Sequence, residues 1–83
     1  MLAVTASEQL WSVSMAPEGQ LETWRALDGA TVKAGQAVAQ VRIEDALHEI
    51  LAPTDGILVR SVSAGDIIQP GDRLGWVADP DSD

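Results

Sequence analysis

Val41-Arg42-Ile43-Glu44-Asp45-Ala46-Leu47-His48-Glu49-Ile50-Leu51-Ala52-Pro53-Thr54-Asp55-Gly56 is the stretch on which the reading of the chain turns. An apolar run meets an acidic tip, a second apolar run follows, and a Pro- and Gly-containing turn closes it. Two β-compatible runs joined by a short polar tip predict a hairpin. Outward from it, the flanks repeat one another. Gly29, Val32, Gly35, Val38 and Val41 match Gly65, Ile68, Gly71, Leu74 and Val77 at a constant offset of 36 residues. One further residue of offset pairs Gly19 with Gly56. Such a duplication signals two like structural units. About four short strands cannot bury an apolar face alone, whereas two such sets packed face to face can. The expected fold is all-β: a flattened barrel or sandwich of two four-stranded sheets with an internal pseudo-two-fold repeat.

The remaining segments follow from alternation and turn chemistry. Strands are expected over Gln9–Met15, Gln20–Leu27, Ala37–Ile43, Leu47–Ala52, Ile57–Val62 and Arg73–Ala78, with short ones at Val32 and Ile67-Ile68. Turns are expected at Ala16–Gly19, Asp28-Gly29, Ala34-Gly35, Pro53–Gly56, Ala64–Asp66 and Pro70–Asp72. Residues 1–8 carry a Thr5-x-x-Glu8 capping pattern and are expected to fray; 9–78 form the domain; 79–83 form a disordered acidic tail.

The 83 residues allow one small domain, and 46% hydrophobic content is that of a globular chain. With no cysteine, disulfides and thiolate metal sites are excluded. No apolar run approaches the ~20 residues that span a bilayer, and Met1–Leu10 lacks the positive charge of a secretory signal. A cytoplasmic location and a monomer in isolation are the default expectations. The net charge is −8, of which residues 41–55 carry −3 and residues 79–83 another −3. Nucleic acid and anionic membrane are therefore disfavoured partners, because phosphate recognition needs clustered Lys and Arg. A protein partner with a basic surface fits the charge. So does the plainer role of keeping a small domain soluble.

The ordered set of motifs resembles the biotinyl/lipoyl carrier domain family over about three quarters of the chain. It comprises Gly29-x-x-Val32-x-x-Gly35-Gln36-x-Val38-Ala39-x-Val41, then Glu49-Ile50-x-Ala52-Pro53-x-Asp55-Gly56, then Gly65-Asp66-x-Ile68-x-x-Gly71-Asp72-x-Leu74. The resemblance implies a carrier lysine at a hairpin tip, bearing a lipoyl or biotinyl arm in 2-oxo acid dehydrogenase complexes or carboxylases. Lipoyl members place Asp-Lys-Ala there and biotinyl members Met-Lys-Met; here the tip is Glu44-Asp45-Ala46. The family's spacing from Gly35 puts the carrier position at Asp45, and Ala46 keeps the lipoyl-type register.

Amide attachment needs an amine nucleophile, and an ionised carboxylate is an acceptor only. The expectation is a domain without lipoyl or biotin, with Glu44, Asp45, Ala46 and Glu49 as candidate partner contacts. Its role would be non-catalytic: docking to or regulating a partner. A subunit or paralogue of a working acyl or carboxyl carrier complex is one alternative. A lipoyl-like module of a membrane-fusion adaptor is another. Lys33 is the sole lysine and reads as an ordinary turn residue.

Other chemistry is weaker. Glu44, Asp45 and Glu49 lack a Gly-centred calcium loop, so no metal site is expected. His48 has no nucleophile or ligand set around it. Trp11, Trp24 and Trp76 could form a stacking platform, but at least two are expected in core or rim packing.

Overall fold

The computed structural model describes residues 1–79. Eight strands are present: β1 (Leu2–Thr5), β2 (Gly19–Trp24), β3 (Thr31–Val32), β4 (Ala37–Ile43), β5 (Ala46–Leu51), β6 (Gly56–Arg60), β7 (Ile67–Ile68) and β8 (Arg73–Ala78). They form two four-stranded sheets with orders β1-β8-β6-β3 and β5-β4-β2-β7. Every pairing is antiparallel. Adding four to each strand number of the first sheet, and counting past eight from the start, turns it into the second. Each sheet thus draws strands from both halves of the sequence, rather than one half making one sheet.

The duplication is visible in the backbone. Gly29 and Gly65 have φ of 86° and 95°, and Gly35 and Gly71 have 84° and 87°. Their hydrogen bonds match as well. The Gly29 N–H donates to Leu58 O, and the Gly65 N–H to Leu21 O, both at 2.7 Å. The Gly35 N–H donates to Ala52 O at 3.0 Å and the Gly71 N–H to Ala6 O at 2.7 Å. Left-handed backbone costs glycine little, so both copies keep it at these turns.

Carboxylates lock the same turns. Asp66 accepts from the Ser63 N–H at 2.9 Å and Asp72 from the Gln69 N–H at 2.8 Å. Asp28 and Asp55 accept from the Arg60 and Ala34 N–H groups at 2.8 and 2.7 Å. Part of the acidity is therefore spent on turn geometry. Replacing Asp72 by Ala is expected to cost about 1 kcal/mol, read as a lower urea midpoint at unchanged slope.

Alternation fills the space between the sheets. Val4, Leu21, Val32, Val38, Val41, Leu58, Ile68, Leu74 and Val77 are at most 1% exposed and belong to one cluster. No polar or charged residue is buried among the described residues.

The N-terminal segment corrects two expectations. Residues 2–5 do not fray: β1 pairs with β8, Leu2 opposite Val77 and Ala3 opposite Trp76. Val4 and Ala6 enter the core, so the folded unit starts before residue 9. Gln9–Met15 is not a strand, because Glu8–Trp11 forms a 3₁₀ helix. Ser7, not Thr5, is its cap, with the hydroxyl accepting from the Gln9 N–H at 3.2 Å. The Ser14 hydroxyl accepts from the Ala16 N–H at 3.0 Å. Serines that bond locally compete with a sheet ladder, and the place beside β8 is already taken by β1. Trp11 is buried, while Val13 and Met15 are 93% and 96% exposed.

Elsewhere the strands lie where the pattern puts them, with ends shifted by a few residues at β2, β5 and β6. Trp24 is half-buried and donates from Nε1 to Val62 O at 3.0 Å. Trp76 is half-buried under the Arg73 guanidinium, 4.7 Å from its ring centre. The expected acidic tail lies outside the described residues except for Asp79.

Candidate functional site at the β4–β5 apex

Strands β4 and β5 hold the apex in register. Ile43 pairs with Ala46, Arg42 with Leu47 and Val41 with His48, which leaves Glu44-Asp45 as a two-residue loop. Both residues are exposed. The right-handed twist of paired strands favours positive φ in so short a loop. Glu44 supplies it at φ 56°, the single non-glycine residue with positive φ among those described. A side chain with Cβ is disfavoured there. Glu44→Gly is therefore expected to raise the unfolding free energy by about 0.5–1 kcal/mol, seen as a higher thermal midpoint.

The pleat then sorts the predicted contacts. Ala46, His48 and Ile50 lie on one side of β5; Leu47, Glu49 and Leu51 lie on the other. Glu44, Asp45 and Ala46 are thus brought together. Glu49 is not: it faces the outer surface of the sheet. There it accepts from Gln40 Nε2 at 3.2 Å and pairs with Arg25 Nε at 3.7 Å. Arg42 is also committed on that surface. Its Nε and Nη2 donate to Glu22 Oε2 and Oε1 at 3.0 and 3.3 Å. That hydrogen bonding, and then the charge of Arg42, hold the Glu22 carboxyl below its ordinary pKa. The small stability this contributes is present above the ordinary carboxylate range and is lost as pH falls through it. Glu44 and Asp45 take no part in the ion pairs or side-chain hydrogen bonds found among the described residues.

Beside the apex lies an open hollow of about 310 Å³. Leu10, Val13 and Ser14 of the N-terminal segment line one side; Ile43 to Ala46 and His48 line the other. The first three were not legible as site residues. Their proximity depends on the docking of the 3₁₀ helix through Trp11, which alternation misrepresents. Among the described residues, no three His, Cys, Asp or Glu side chains are grouped to hold a metal ion. Lys33 is exposed in the turn before β4, roughly 20 Å along that strand from the apex. The apex presents a carboxylate and no amine, so its residues do not fit an amide-tethered lipoyl or biotinyl group.

No family model matches the chain. Over 57 residues, 69% of its length, it is 37% identical to acetyl-CoA carboxylase dmxL1 of Cryptosporiopsis sp. (strain 8999). The chain spans about 2% of that carboxylase's length. Its fold is similar to the solution structure of the lipoyl domain of the 2-oxoglutarate dehydrogenase complex from Azotobacter vinelandii. The TM-score is 0.65 and the identity 25%, covering 75% of this chain and 80% of the other. Two interleaved four-stranded sheets, the doubled glycine turns and these likenesses together support a domain of the biotinyl/lipoyl carrier type.

Proposed function

We propose that this domain has lost the modified lysine and serves as a non-catalytic docking or regulatory module. Its setting would be a 2-oxo acid dehydrogenase or carboxylase type system. The observation that carries the reading is an exposed carboxylate, Asp45, at the apex where the family resemblance places the tethering amine. A carboxylate cannot attack an activated acyl group to form the amide. The unpaired acids Glu44 and Asp45 suit a partner with a basic entrance. The similarity to an acetyl-CoA carboxylase and to a 2-oxoglutarate dehydrogenase lipoyl domain supports the choice of system. The apex loop has two residues and no inserted helix, so the membrane-fusion reading gains no support.

Intact mass of the protein from its native host is expected to equal that of the unmodified sequence. A lipoyl or biotinyl increment would overturn the reading. Replacing Glu44 and Asp45 by Gln and Asn is expected to weaken the host complex at low salt, as read by affinity capture and quantitative mass spectrometry. Unchanged recovery would remove the apex as the contact.

A further inference from the structure

We infer that the hollow beside the apex is a receptor for one basic side chain, lysine or arginine, on a partner protein. The inference rests on the docking role proposed above and specifies its anchor. The hollow joins two chemistries. Leu10, Val13 and Ala46 offer apolar surface beside the buried Ile43, Ser14 and His48 also line it, and Glu44 and Asp45 add two carboxylates at the loop. A cation on an aliphatic stem meets both requirements: its methylenes cover apolar surface while its charged head stays among acids and water.

The charge balance favours this occupant over an apolar or anionic one. Glu44 and Asp45 put two negative charges at the hollow, and the neighbouring cation, Arg42, is tied to Glu22 by two hydrogen bonds. Asp45 contributes only the last of the effects that raise the Arg42 pKa. Glu49, which would add a third acid, is directed elsewhere and paired with Arg25. The N-terminal wall is anchored rather than loose. Trp11 is 7% exposed within the core cluster, and the Ala6 N–H donates to Asp72 O at 2.9 Å. Val13 stands exposed on that wall, at 93%.

The test uses the whole chain, ¹⁵N-labelled, titrated at low salt with three blocked glycine pentapeptides. Their central residues are lysine, norleucine or acetyl-lysine. Saturable amide shifts are expected at Leu10, Val13, Ser14 and Ala46. Lysine should bind about fivefold more tightly than either neutral analogue, the size that two exposed ion pairs supply. Glu44→Gln with Asp45→Asn should erase that preference. Val13→Ser, at a side chain that is 93% exposed, should weaken lysine and norleucine alike.

Equal affinity for the three peptides, lysine shifts centred on other acids, or no saturable shift would overturn the inference. If the lysine peptide fails while the neutralised apex still loses the host complex, docking stands and this anchor falls. If the peptide binds as expected but the host complex ignores the neutralised apex, the receptor stands and the docking role falls.

Discussion

Gly75→Ala is expected to cost about 3 kcal/mol or to leave the chain unfolded. Gly75 lies in the middle of β8, opposite Val4 of β1 and Arg60 of β6. A Cβ at this position would collide with the Val59 carbonyl oxygen and stand 3.2 Å from the Arg60 Cα. Both neighbours are backbone of the adjoining strand, so no side chain can rotate out of the way. Relief requires β6 and β8 to move apart, which disturbs the ladder and the packing of Leu58, Leu74 and Val77 beneath it. Overpacking of a well-filled interior costs about 1–3 kcal/mol, more where backbone must shift. A domain of this length holds roughly 4–12 kcal/mol in total. Urea unfolding followed by circular dichroism measures the loss. A change below about 1 kcal/mol would mean that the two strands do not approach as closely as described.

Asp45→Lys is expected to give a chain modified in bulk when a lipoyl ligase is co-expressed. The scaffold around the position is intact. The loop is two residues long, residue 45 is exposed, Ala46 follows it, and Ile43 and Ala46 close the hairpin beneath. The substitution restores the amine that amide formation needs and places it on a rigid projection. Intact mass reads the outcome, and a biotin ligase in parallel separates the two carrier types. Modification by either enzyme would show that the surface a ligase recognises is present around residue 45, as the proposed relation to a working carrier requires. A mutant that folds and stays unmodified would show that the surface has diverged toward another use.

Much of this was legible before any coordinates. β4, β7 and β8 lie at the expected residues because each apolar run follows a turn glycine, Gly35, Gly65 and Gly71 in turn. The repeat was legible because identical backbone conformations demand identical residues: Gly35 and Gly71 must both sit at φ near 85°. The assignment of Asp45 followed from the spacing that the family resemblance implies, counted from Gly35. What failed was long-range. Trp11, Val13 and Met15 alternate like a strand, yet the place beside β8 is held by β1, and Ser7 and Ser14 offered the backbone local partners. β1 was missed for the converse reason, since Leu2–Thr5 is too short to announce itself without β8. The interleaving of the halves, and with it the separation of Glu49 from the apex acids, depends on strand pairing that periodicity does not encode.

Leu2 and Val77 sit side by side, and Ala78 lies opposite Ile57, just past the turn that ends β5. Leu2 and Ala78 therefore share the pole remote from Asp45. Polypeptide entering the fold at Leu2 and leaving it at Ala78 meets it at one pole. The fold could be spliced into a loop of a larger protein without prising that loop apart, and its apex would still stand clear of the host.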